Sequence, residues 1–116
     1  MRHKRGYRKL NKATDQRIAM LRSITCALFQ RGRVRVIETR AKEARRMVEK
    51  VISLAKRGDL SSRKNAISII SNADIVKNLF ADAKTRFASR SSGYTRMVKI
   101  GARQGDAAPV VLLEIL

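Results

Sequence analysis

Apolar positions recur along this chain at two periods. Through most of its length the spacing is helical, and towards the end it becomes alternating, which predicts helices followed by strands. Residues 14–31 carry Met20, Leu21, Ile24, Ala27 and Leu28 on one helical stripe. Thr14 is placed to cap that helix, Asp15 suits its positive end, and Gly32 is a natural stop. Residues 33–37, Arg-Val-Arg-Val-Ile, alternate and read as a short strand with Val34 and Val36 inward and Arg33 and Arg35 outward. Thr39 is read as the cap of a second helix whose stripe is Ala41, Ala44, Val48, Val51, Ile52 and Ala55. Its other face carries Lys42, Arg45, Arg46, Glu49, Lys50 and Lys56, and Gly58 ends it.

A third helix carrying Ala66, Ile67 and Ile70 is predicted behind a cap at Ser61 or Ser62, although residues 67–70 alone also read as a strand. Asn72 caps a fourth, with Ile75, Val76, Leu79 and Phe80 as its stripe and Asp74 near its start. Residues 85–93 form a basic loop rich in Ser and Gly. Residues 94–103 then alternate, Val98, Ile100 and Ala102 on one side and Met97 and Lys99 on the other. Gln104-Gly105-Asp106 reads as a turn into a strand over 110–116, with Pro109 at its first or edge position. Both faces of that strand are apolar, which suits a central position. The order α-β-α-α-α-β-β predicts an α+β fold: helices packed on one face of a small three-stranded mixed sheet. Residues 1–12 show no apolar period and read as an extended basic tail, so the chain divides into a tail, 1–13, and one globular domain, 14–116.

Composition fits a single domain: 116 residues with 44% hydrophobic content can bury one modest core. Only Tyr7, Phe29, Phe80, Phe87 and Tyr94 are aromatic, so aliphatic side chains must build most of it. Charge changes the picture more. Lys and Arg number 27 against 9 acids, a net +18, and that much charge in one small domain repels itself unless a polyanion neutralises it. Nucleic acid is the leading polyanion, ahead of an anionic membrane or an acidic protein. The cations are unevenly placed. Arg2, Lys4, Arg5, Arg8, Lys9 and Lys12 crowd an acid-free start, and Lys84, Arg86, Arg90, Arg96, Lys99 and Arg103 crowd a second acid-free segment over 84–104.

Enzymatic patterns are missing. The sequence has no G-x-x-x-x-G-K-[ST], no G-x-G-x-x-G and no G-x-S-x-G. One cysteine, Cys26, and one histidine, His3, can build neither a disulfide nor a zinc site, and Cys26 sits in an apolar run as a small core residue. The longest apolar run, 110–113, is far below the roughly 18 residues that a bilayer span needs. The charged start lacks the apolar stretch of a secretory signal and the Ser-rich amphipathic face of a transit peptide. Cofactors, small-molecule substrates and catalytic residues are therefore not expected.

Guanidinium groups grip phosphate bidentately, ammonium groups add point charge, and an unstructured tail can order within RNA crevices. Tyr7 would stack on a base or serve as a solvated spacer. In the second basic segment Arg86, Arg90, Tyr94 and Arg96 surround Phe87 and Gly93. Phe87 reads as core, and Tyr94 reads as core or as a stacking platform. The basic face of the second helix reads as an ordinary solvated face, partly neutralised by Glu43 and Glu49, and ranks below the tail. No zinc-finger spacing, GXXG clamp or aromatic RNA-binding signature is present, and the Ser71-Asn72 joint lacks the glycine of a helix-turn-helix. Recognition through shape and phosphate follows.

Several separated motifs carry a likeness to a known family. Met1-Arg2-His3-Lys4, Arg8-Lys9-Leu10-Asn11, Arg17 and Thr39-Arg40-Ala41-Lys42-Glu43 are four of them. The others are Arg86-Phe87-Ala88-Ser89-Arg90, Gly93-Tyr94-Thr95-Arg96, and Gly105-Asp106 with Ala108-Pro109. Together, and in order, they resemble the bacterial-type large-subunit ribosomal protein numbered seventeen, from end to end. Gln16, Ser92 and Ala102 depart from the family's usual His, Gly and aromatic residue. The resemblance implies an α+β domain held against large-subunit ribosomal RNA near the peptide exit tunnel, beside other large-subunit proteins, in a bacterial cytoplasm or an organelle. Charge and position together make Arg2, His3, Lys4, Arg5, Arg8, Lys9, Lys12, Arg17, Arg22, Arg40, Lys42, Arg86, Arg90, Tyr94, Arg96, Lys99 and Arg103 the expected RNA-facing residues. No membrane partner is expected.

Overall fold

A computed structural model describes residues 13–116. Helix α1 (Thr14–Arg31) stops where Gly32 takes φ 85° and donates its N–H to the Leu28 carbonyl at 2.7 Å. A left-handed residue there closes the helix end, and an L side chain in that conformation costs roughly 1–2 kcal/mol. Strand β1 (Arg33–Ile37) runs without a linker into α2 (Glu38–Arg57), followed by α3 (Leu60–Ile70), α4 (Ala73–Arg86), β2 (Thr95–Ala102) and β3 (Pro109–Ile115). The order is the expected α-β-α-α-α-β-β.

The sheet order is β1-β3-β2, and both pairings are antiparallel. The expectation of a mixed sheet is therefore corrected. Strands joined by a helical crossover usually lie parallel and adjacent, but here β3 fills the slot between β1 and β2. Val36 stands opposite Val111 on one side, and Met97 opposite Leu113 on the other. The central place of β3 and Pro109 at its first residue are as expected. A bulge between Lys99 and Gly101 shifts the β2 register.

Helices α1 and α2 lie against the sheet, and α3 and α4 pack on α2. The stripe Ala41, Ala44, Val48, Val51, Ile52 and Ala55 is wholly buried, as are Val111 and Leu113 of β3. Burying each Val or Ile side chain is worth about 1.5–3 kcal/mol. The opposite sheet face stays open, leaving Val98 44% exposed, and Ile100, at the β2 bulge, is 49% exposed. Helix α1 is less embedded: Leu28 is buried, whereas Met20, Leu21 and Ile24 are half-buried.

The caps differ from expectation in three places. Ala13 and Ile37 hold the N-cap positions of α1 and α2 without side-chain hydrogen bonds, so Thr14 and Thr39 fall in the first turns. For α2 the reason is that the extended Ile37 passes directly from strand to helix. Asp59, not Ser61 or Ser62, caps α3, accepting the Ser62 N–H at 3.0 Å. Asn72 caps α4 as read, accepting the Ile75 N–H at 3.1 Å. Residues 67–70 are helical, and the basic loop begins only after α4 ends at Arg86.

Candidate nucleic-acid interface

The loop between α4 and β2 is fastened to α2. Phe87 and Tyr94 meet edge to face at its base, ring centroids 5.2 Å apart, both buried. Glu49 of α2 accepts the Tyr94 N–H at 3.0 Å on each carboxylate oxygen and the Thr95 hydroxyl at 3.1 Å. The Tyr94 hydroxyl donates to the Ser91 carbonyl at 2.8 Å and accepts from Lys56 at 3.3 Å. Lys56 also donates to the Arg90 carbonyl. Arg90 in turn donates to the Gly93 carbonyl at 3.4 Å, and Gly93 turns the chain at φ 69°. Tyr94 is only 2% exposed, so it packs as core and does not stand open as a stacking platform. Its part is to hold the loop.

A shallow groove of about 720 Å³ opens between this loop and α2, walled by Lys42, Arg45, Arg46 and Lys50 on the helix and Ser92 and Gly93 on the loop. The helical cations have only loose acidic neighbours: Lys42–Glu38 at 3.3 Å, Arg45–Glu49 at 4.0 Å and Arg46–Glu43 at 4.0 Å. The Lys42 and Arg45 pairs are open to solvent and contribute little on their own, whereas Glu43 is a buried acid. Sequence reading set Arg45, Arg46 and Lys50 aside as a solvated face. The signal that places them was their shared stripe with Glu49, whose partner, forty-five residues on, is visible only in the fold.

The other expected contacts are dispersed. Arg2, His3, Lys4, Arg5, Arg8, Lys9 and Lys12 lie outside the described residues. Arg17 is buried. Arg22 donates to the Ile69 and Ser68 carbonyls at 2.7 and 3.1 Å, satisfying the end of α3. Arg40 is half-buried beside a second hollow of about 560 Å³ at the end of the sheet, which Arg35, Ile37, Ile100 and Arg103 also line. Arg86 lies 5.3 Å from the Phe87 ring centroid and donates to the Leu116 carbonyl at 3.4 Å. Arg96 pairs with Glu114 at 3.2 Å, and Lys99 is exposed.

Arg103 forks onto Asp106 across the β2–β3 turn, its Nε 3.1 Å from Oδ1. That guanidinium, with the Ala108 N–H at 3.1 Å, draws the Asp106 carboxyl down to about 2 from 3.8. Burial pushes the Cys26 thiol up, so the thiol form is favoured. Among the described residues no group of His, Cys, Asp and Glu is arranged to hold a metal, and no helix is long and apolar enough to cross a membrane.

With the geometry in hand, comparison with known proteins is specific. The family model described as ribosomal protein L17 matches residues 20–116. A large ribosomal subunit protein bL17 of Clostridium perfringens is 49% identical over 111 residues, covering 96% of this chain and 98% of that protein. The bL17 of Clostridium tetani is 48% identical over the same length and coverage. That of Desulforapulum autotrophicum is 46% identical over 116 residues, covering 100% of this chain and 97% of its own.

Proposed function

The chain belongs to the ribosomal protein L17 family, and from that premise we propose how it works as a structural constituent of the large ribosomal subunit. It has no catalytic part. It binds large-subunit ribosomal RNA through phosphate and shape, with neighbouring large-subunit proteins as its other partners, on the ribosomes of a bacterial cytoplasm near the peptide exit tunnel. The domain over 14–116 supplies a rigid basic surface, and residues 1–13 supply a basic arm.

The observation that carries this reading is the convergence of charge. Four cations of α2, Lys42, Arg45, Arg46 and Lys50, stand along one groove, and its far wall, the 92–94 segment about fifty residues on, is pinned by Glu49 and Lys56. A preformed basic surface meets a polyanion without the entropy of ordering it first. Arg86, Arg90, Arg96, Lys42 and Lys99 are the described residues best placed to meet RNA. Arg22 is engaged by the α3 terminus and Arg103 by Asp106 of the β-turn, while Arg86, Arg90 and Arg96 stay exposed beside their own partners Leu116, Gly93 and Glu114.

Sedimentation of ribosomal particles from a lysate tests it. The chain is expected in the large-subunit fraction and to remain there after washing at moderate salt. Recovery in free-protein or nucleoid fractions overturns the reading.

A further inference from the structure

We propose that the groove between α2 and the 91–94 loop seats a stretch of RNA backbone, with Arg45, Arg46 and Lys50 meeting its phosphates and Glu49 acting as a positioning residue. The inference rests on the ribosomal RNA reading and adds to it a site, its ligand chemistry and the residue that shapes it.

Three observations lead there. First, Lys42, Arg45, Arg46 and Lys50 recur at helical spacing along the side of α2 turned from its apolar stripe, so they project into one groove. Phosphates along a strand recur at comparable intervals, and guanidinium groups match them in planar, forked geometry. Second, the opposing wall is backbone. Gly93 holds φ 69°, and a Cβ built there meets nothing within 4 Å, so the wall is low and lets a chain come close. Third, the acid in the groove is not free to repel a phosphate. Glu49 spends both oxygens on the Tyr94 N–H and the Thr95 hydroxyl, so its negative charge is directed into the wall. An acid kept on the phosphate-facing stripe of a +18 chain calls for such a role. Tyr94, the aromatic residue in the groove lining, is only 2% exposed, which fits backbone contact over base stacking.

The role of Glu49 has an unusual sign. Counted as charge alone, its removal makes the surface more basic and tightens RNA binding. As a positioning residue, its removal frees the loop and weakens binding. Three variants of the full chain are titrated with purified large-subunit ribosomal RNA, with polyglutamate as a second polyanion. Neutralising Arg45→Gln, Arg46→Gln and Lys50→Gln together is expected to lower affinity at least about ten-fold near ~0.1 M salt. The slope of log affinity against log salt should fall by about 1 for each lost phosphate contact. Glu49→Ala should weaken binding several-fold and speed exchange of the Tyr94 amide. Glu49→Gln, which still offers an oxygen to that amide, should bind as tightly as wild type or tighter.

Wild-type failure to bind this RNA would overturn the ribosomal RNA reading itself. A wild type that binds, beside a triple variant of equal affinity and slope, overturns the groove alone. So does a triple variant that loses polyglutamate but keeps RNA. Equal tightening by Glu49→Ala and Glu49→Gln removes the positioning role. Should Glu49→Ala fail to fold by circular dichroism, the triple variant and Glu49→Gln still decide the matter.

Discussion

The Tyr94 amide sits 3.0 Å from each oxygen of the Glu49 carboxylate, so one residue of α2 orients the residue that leads the basic loop into β2. The same tyrosine is tied at its other end, donating to Ser91 and accepting from Lys56. Tyr94→Phe keeps the buried ring and the Phe87 contact but loses the hydroxyl bonds. A net hydrogen bond is worth about 1 kcal/mol. The expected result is a stability lowered by roughly that amount, read as a lower urea midpoint at unchanged slope, with exchange of the 90–93 amides increased.

Gly93 and Gly58 separate backbone strain from crowding. Both hold positive φ, 69° and 73°. A Cβ at Gly93 meets open space, whereas one at Gly58 would stand 2.9 Å from Cε of Lys84. Lys84 is exposed and flexible, so its end can swing aside. Gly93→Ala and Gly58→Ala should therefore each destabilise by about 1–2 kcal/mol, the left-handed penalty alone. A much larger loss at Gly58 in chemical denaturation would show that Lys84 is held in place.

Much of this architecture was legible from period alone. The α2 stripe, the Asn72 cap, Gly32 and Gly58, the final hairpin and the central β3 were all visible as local patterns, because each is decided within a few residues. What local pattern does not carry is which strand lies beside which. β1 and β3 meet only after three helices have intervened, so the antiparallel sheet was read as mixed. The caps failed for a related reason. Ile37 leaves a strand directly into α2, and the preceding segment decides where that helix starts. At the site, the charge was legible and its grouping was not. Arg22 and Arg103 looked like Lys99, yet they bind carbonyls and a carboxylate of their own fold, whereas Lys99 stands exposed. Glu49 looked like a neutralising surface acid until the loop folded onto it.

Ile52 and Ile100 are the same residue in opposite surroundings. Ile52 is fully buried in the α2 stripe, and Ile100 is 49% exposed at the β2 bulge. Ile52→Ala leaves a cavity and should cost about 2–5 kcal/mol. Ile100→Ala should cost about 1 kcal/mol or less, since surface changes rarely cost more. Calorimetric melting of the two variants compares them directly, and equal losses would mean that Ile100 is covered in solution.

Acid should loosen the β2–β3 turn before the rest of the fold. The Asp106 carboxyl is drawn down to about 2, first by Arg103 and then by the Ala108 N–H. A folded value below the unfolded one means that the charged form supports the turn. The contribution is complete above an ordinary aspartate value of about 4 and is lost as pH falls towards about 2. NMR titration of the Ala108 amide should follow that window, and Asp106→Asn should abolish the response.

The basic arm gives the sharpest separation of folding from binding. Residues 1–12 show no apolar period in the sequence, and the described core runs from Leu28 to Leu113, so their removal is expected to spare it. Six of the 27 basic residues go with the arm, and no acid does. Circular dichroism should match the full chain, with stability within about 0.5 kcal/mol, the range of changes made away from a core. Affinity for large-subunit ribosomal RNA should fall, and the salt slope should shrink by roughly 0.7–0.9 for each phosphate the arm had neutralised. A truncated chain that unfolds would mean that these residues complete the domain, and the division of the chain into arm and body would fail. An unchanged slope in a folded chain would leave all of the binding to the body, with the α2 groove as its strongest basic feature.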